Sequence, residues 1–407
     1  MFRVLVLRLA VLAVVLVSAC SDSRRRSSDD SSVGGSDDGS VDGSLADRTI
    51  GPDGQIEDAT ADRTPIPTPA VTALDLLLVI DNSGSMEEEQ RSLVREIPAL
   101  IRALTTGDIN GNGADDPGDF APGFSDLNVG VVTTDMGSGG FPNMTCGEPN
   151  AGDDGVLRTD GASSPGCMPS YPRVLNFQPA LQPGGDAQFA SDVSCVALPG
   201  LNGCGFEQQL EAMLKAVTRS DSGIRFAGGA GHADGANAGF LRGPDESALA
   251  IIVLSDEADC SAMDPELFNL DTAIYVGNPN LRCFQYPDAL HPVQRFVDGL
   301  LTTRAAPGLL SVNFIVGIPQ SLEGESYPVM LAAPEVQERL DPSDNNRLVP
   351  SCVTPTGLAF PPPRMIRVAE GLQAAGAHTS VSSICQASFE VPLQEVLRGI
   401  GRIRTGS

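Results

Sequence analysis

Five runs of strand character, each followed downstream by a segment of helical period, constrain this chain more than any other feature. The runs are Leu74 to Ile80 (LDLLLVI), Leu127 to Thr134 (LNVGVVTT), Ser247 to Ser255 (SALAIIVLS), Leu309 to Ile318 and Thr379 to Ile384. A short continuous apolar run with β-branched residues is the pattern of a strand buried on both faces. Glu87 to Leu104 places Leu93, Ile97, Leu100, Ile101 and Leu104 on one helical face. Phe206 to Thr218, Pro292 to Thr303, Arg364 to Ala375 and Val391 to Ile403 read as helices in the same way. This alternation predicts an α/β fold, a Rossmann-like doubly wound and mostly parallel sheet covered on both faces. Two stretches interrupt it, at about 136–205 and 260–290, both rich in Gly, Pro and Cys and without a sustained period. Loops of that length are usually functional, and these are expected to be stapled by disulfides.

The first residues have a different character. Arg3 and Arg8 flank an apolar run from Leu9 to Val17, well short of the ~20 residues that span a bilayer, so residues 1–19 read as a secretory signal. The sequence Val17-Ser18-Ala19-Cys20 resembles a bacterial lipobox, which implies that Cys20 is lipidated and anchors the mature chain to a membrane. Residues 20–70 are mostly Ser, Asp, Gly, Arg, Thr and Pro and read as a disordered tether, leaving 71–407 as the folded domain. Nine cysteines less Cys20 leave eight, which in an exported chain suits four disulfides. Pairing nearest neighbours gives Cys146–Cys167, Cys195–Cys204, Cys260–Cys283 and Cys352–Cys385 as the expectation. No CxxC pair occurs, which argues against a structural zinc site.

The net charge is −26, and Lys215 is the only lysine. That balance argues against nucleic acid as a partner and favours a divalent cation. Three of the expected strands end in aspartate, at Asp81, Asp135 and Asp256. In a parallel sheet such ends share one edge, where open α/β folds place their ligands. Converging carboxylates repel, and a bound cation relieves them; capping of the following helix is the alternative for each. In Asp81-Asn82-Ser83-Gly84-Ser85-Met86, two hydroxyls follow the carboxylate at alternate positions. One carboxylate and two hydroxyls suit a hard cation, magnesium, manganese or calcium.

The D-N-S-G-S-M segment after an apolar strand closely resembles the D-x-S-x-S metal-ion-dependent adhesion site of von Willebrand factor type A domains. The resemblance covers about Leu74 to Arg404. It implies Asp81, Ser83, Ser85 and Asp256 as cation ligands, with a carboxylate of a protein partner completing the shell. The family's intermediate threonine falls at Cys204, which has no hydroxyl; a four-ligand site of weaker affinity, a substitute ligand such as Glu207 or Asp135, and a degenerate site are the alternatives. The segments V-T-T-D-M-G, G-C-G-F-E-Q and V-L-S-D-E-A-D-C-S, with the lipobox and tether, also resemble cysteine-rich type A lipoproteins of Gram-negative bacteria such as the myxobacteria. The resemblance implies a lipid-anchored adhesion module of the cell envelope, with the outer membrane favoured because Ser21 follows Cys20. A structural subunit of an envelope or secretion assembly with a degenerate metal site is the alternative.

A second candidate runs from Asp108 to Asp116, with Asp108, Asn110, Asn112 and Asp116 spaced as in a calcium loop and glycine at the turn. A polar turn explains it equally well. The histidines, His232, His291 and His378, lie in no G-x-S-x-G or H-E-x-x-H context, so a non-enzymatic protein is expected and an extracellular hydrolase is the weakest reading.

Overall fold

The computed structural model describes residues 71–406 apart from 144, 148, 149, 151 and 356. The signal segment, Cys20 and the tether lie outside the described residues. Six strands form the central sheet: β1 (Ala73–Ile80), β2 (Asp126–Thr133), β3 (Leu175–Phe177), β4 (Ala248–Leu254), β5 (Leu310–Val316) and β6 (His378–Ser383). Their order is β3-β2-β1-β4-β5-β6, with β3 antiparallel and every other pair parallel. This is a doubly wound order, and the direction of winding reverses between β1 and β4.

Helices α1 (Glu87–Thr106), α2 (Asp186–Val196) and α6 (Glu390–Thr405) cover one face; α3 (Gln209–Val217), α4 (Val293–Leu301) and α5 (Pro363–Ala374) cover the other. The alternation of side chains along β1 divides them. Leu74, Leu76, Leu78 and Ile80 pack with Leu93, Ile97 and Leu393, whereas Leu77 and Val79 pack with Leu210, Phe296 and Met365. All six β1 side chains are fully buried, and each contributes about 1.5–3 kcal/mol relative to exposure.

The five expected strands and five expected helices are present, with ends displaced by a few residues. The largest displacement is at α3, which starts at Gln209 rather than Phe206. The stretch 136–205 is not loop throughout. It contributes β3 and α2, joined by the stacked rings of Phe177 and Phe189 at 5.0 Å. Between β5 and α5 the chain adds a helix at Tyr327–Ala332 and two small hairpins, Leu340–Asp341 with Asp344–Leu348 and Cys352–Val353 with Leu358–Ala359. Among the described residues no helix is long and apolar enough to cross a membrane.

Four disulfides staple this frame, and two differ from nearest-neighbour pairing. Cys260–Cys283 and Cys352–Cys385 are as expected, but the other four cysteines pair as Cys146–Cys204 and Cys167–Cys195. The reason is α2. Cys195 lies in its last turn and faces back toward the 160s, where Ala162 N–H donates to Cys195 O at 2.9 Å. The chain then crosses to Cys204, whose neighbour Gly205 donates its N–H to Thr145 O at 3.1 Å, next to Cys146.

The sole lysine is wholly buried on α3. Its Nζ lies 2.5 Å from Asp154 Oδ1 and donates to Ala227 O at 3.0 Å, while Asp154 Oδ2 contacts His232 Nε2 at 2.9 Å.

Candidate functional site

Register sets the site. Ile80 at the end of β1 pairs with Thr133 of β2 and Leu254 of β4, so Asp81, Thr134 and Ser255 leave the sheet level with one another. This is the edge at which the winding reverses. Asp81 is fully buried there: its Oδ1 accepts Ser83 N–H at 2.8 Å and its Oδ2 accepts the Ser255 hydroxyl at 2.6 Å. Gln90 of α1 donates to Asp81 O at 2.8 Å and to Gly200 O at 2.9 Å, tying the motif to the crossing loop. That loop approaches closely enough that a Cβ at Gly203 would stand 2.2 Å from Asn82 Oδ1 and displace the Asn82 side chain. The Ser83 and Ser85 hydroxyls lie 3.2 Å apart.

Asp256, one residue beyond Ser255, is 3 % exposed. Burial pushes its carboxyl up to about 8, repulsion from Asp81 adds to this, and the Ser85 hydroxyl works against it. Burial also raises Asp81, offset by Ser255, Ser83 and Thr134. Glu207 and Glu257 are pushed well above the usual range, first by burial and then by the acids around them: Asp81, Glu257 and Asp256 for Glu207, and Asp256 and Asp81 for Glu257. Among the described residues none of these four acids has an ion pair. Two buried oxygens of the same site, Asn82 Oδ1 and Asp256 Oδ1, have no hydrogen-bond partner. Carboxylate and amide oxygens left unsatisfied at a sheet edge fit a hard divalent cation. Among the described residues no three His, Cys, Asp or Glu side chains are placed to hold one metal ion.

The sequence-derived residues divide accordingly. Asp81, Ser83, Ser85 and Asp256 come together, and Glu207 joins them. Asp135 does not: its Oδ1 accepts Gly137 N–H at 2.8 Å and its main-chain oxygen accepts from Asp153 and Asp154, so it organises its own turn. Cys204 is held in its disulfide and offers no ligand. Sequence reasoning missed Thr134, Ser255 and Glu257, although the level register of the strand ends would have pointed to the first two. It also missed Asp259 and Ser261, which cap α3 from a distance by accepting Leu210 N–H at 3.0 Å and Glu211 N–H at 2.9 Å.

A cleft of about 690 Å³ opens beside the motif, lined by Ser83, Ser85, Glu207, Glu257, Phe284 and Arg364 among others. The 260–290 segment and the 340–348 hairpin rim it, bridged by Asn278 Nδ2 to Asn346 Oδ1 at 2.8 Å.

The second candidate loop is an exposed, self-bonded turn. Asp108 accepts the N–H groups of Gly111 (2.5 Å) and Gly113 (2.8 Å), and Asp116 Oδ2 accepts from Asn110 and Asn112, each at 2.7 Å. The Gly113 N–H bond is the main cause that holds the Asp108 carboxyl below its ordinary value.

No family model and no curated protein matches the chain. Among solved structures it is similar to a point mutant of the PilB minor pilin from Streptococcus sanguinis, at 10 % identity and a TM-score of 0.33, over 83 % of this chain and 62 % of that one. The chain therefore spans less than two thirds of that pilin's length, and nothing about the site is drawn from the likeness.

Proposed function

We propose that the folded domain is a type A-like, non-enzymatic binding module that holds a divalent cation at Asp81, Ser83, Ser85 and Asp256 and captures a protein partner through it. The observation that carries this reading is the contrast between the two ends of β1. Asp75, fully buried near the start of the strand, is neutralised by Arg304 Nη2 at 2.7 Å and by Arg242, and accepts the Ser247 hydroxyl at 2.7 Å. Asp81, fully buried at the other end, faces Asp256, Glu207 and Glu257 instead. Buried charge without a counter-charge is costly, and a cation supplies it. Bound magnesium, manganese or calcium would provide an electrophilic position for an Asp or Glu carboxylate of the partner.

The histidines have structural neighbours: His232 bonds Asp154, His291 lies 3.6 Å from Glu211, and His378 accepts from Arg402 at 3.5 Å. We place the module on the bacterial envelope, anchored through lipidated Cys20, with the outer membrane favoured; the sequence Val17-Ser18-Ala19-Cys20 supports this. Calorimetric titration of the full chain with magnesium or manganese is expected to give saturable binding that Asp81→Ala abolishes. Identical heats in both proteins would refute the cation.

A second reading, a subunit of an envelope or secretion assembly with a degenerate site, draws support from Cys204, whose disulfide replaces a hydroxyl. Partner capture that persists in chelator would favour it.

A further inference from the structure

The 260–290 segment carries a concentration of exposed apolar side chains that the candidate site does not use. Met263, Leu270, Ile274 and Val276 are 55 %, 42 %, 65 % and 60 % exposed, and they are four of the ten large apolar side chains exposed among the described residues. A single exposed apolar side chain is ordinary, but four within fourteen residues mark a contact surface. None of the four lines the cleft, to which the same segment contributes Asn280, Phe284 and Leu290.

These side chains are not left out for want of a core. Leu267, Phe268 and Leu290 are buried with Phe206 inside the segment's own apolar cluster, and the Cys260–Cys283 disulfide closes it. Tyr275, between Ile274 and Val276, packs against that cluster: its ring meets Tyr286 at 5.0 Å and its hydroxyl donates to Asp264 Oδ2 at 2.6 Å. The Tyr286 hydroxyl in turn donates to Val276 O at 2.9 Å. The backbone that carries Ile274 and Val276 is thereby fixed, and a surface held in place before contact costs less to bind.

The accessible charge around the four has one sign. The segment's acids are Asp264, Glu266, Asp271 and Asp288, of which Asp271 and Asp288 are exposed. Its one arginine, Arg282, is buried and donates to Leu267 O at 2.9 Å and Asn269 O at 2.6 Å. Such a face repels an anionic lipid surface, and equally a second copy of a chain whose net charge is −26. We propose that the outer face of the 260–290 segment docks a protein whose contact surface sets apolar side chains among lysines and arginines. The apolar side chains supply the burial, and the acids select the sign of the partner. The surface uses no residue of the cation site and stands without it.

Two labelled amphipathic peptides, one of leucine and lysine and one of leucine and glutamate in the same pattern, test this against the full chain by fluorescence anisotropy. Saturable binding of the lysine peptide is expected, with none of the glutamate peptide. Ile274→Ser combined with Val276→Ser should weaken it about tenfold. Asp271→Asn combined with Asp288→Asn should weaken it about threefold at low salt and flatten its salt dependence. Val391→Ser, which removes an exposed apolar side chain on α6, should change nothing. Binding should be the same in EDTA as in magnesium, so that failure of the cation leaves this inference standing. Absence of saturable binding, equal binding of the two peptides, or undiminished binding by the Ile274→Ser, Val276→Ser protein would overturn it. Binding that requires magnesium would place the peptide at the cation site and overturn it as well. So would a dimer, seen by sedimentation, that the same two substitutions dissolve, since the face would then belong to a second copy.

Discussion

Two aspartates of one strand show how environment assigns a role to a residue type. Asp75 is saturated by arginines and a serine and serves the fold, whereas Asp81 is surrounded by hydroxyls and acids. Both look alike in the sequence, since the arginines that separate them, Arg242 and Arg304, lie far along the chain. His291 makes a further residue-scale case. Burial, then Arg295 and Arg364, lower its ring to about 4, and its side chain is 15 % exposed. The unfolded chain takes up that proton near pH 6.5, earlier than the native state does. Its contribution is therefore complete above pH 6.5 and is lost as pH falls through 4, by about 3 kcal/mol in total. Denaturant unfolding of wild type and His291→Gln is expected to show the wild type's stability falling relative to the variant's across that window. Parallel pH profiles would rule this out.

At the scale of elements, most of the fold was legible because buried parallel strands are continuous apolar runs and the covering helices keep their period. β3 was not legible. Its three residues, Leu175-Asn176-Phe177, are too few to show alternation, and its partner β2 completes the pattern only in space. Overlooking α2 in turn misassigned two disulfides, because the helix carries Cys195 away from Cys204. The correction has a consequence for the site. Cys146–Cys204 closes a separation of 58 residues and anchors the loop that meets Asn82, whereas Cys167–Cys195 closes 28 residues and holds α2. Removing either pair by Cys→Ala substitution is expected to cost about 3–4 kcal/mol in denaturant unfolding. Only loss of Cys146–Cys204 should also weaken magnesium binding. Equal binding by both double variants would mean that the crossing loop does not shape the site.

For the whole molecule, the doubly wound sheet turns scattered residues into one edge. The Asp81 motif, Thr134, Glu207 and Asp256 come from four separate stretches and meet because β1 lies between β2 and β4. The motif itself was legible, because its oxygens are adjacent in sequence; Glu257 was not, because only the turn after β4 brings it in. At this edge four buried or half-buried acids, Asp81, Glu207, Asp256 and Glu257, lie near one another with no ion pair among the described residues. The most direct measurement of that claim is anomalous diffraction at the manganese edge from crystals of the protein grown in manganese. A peak within bonding distance of the Ser83 and Ser85 hydroxyls and between Asp81 and Asp256 is the expected result. Ordered density for all four side chains with no anomalous peak among them would contradict the account.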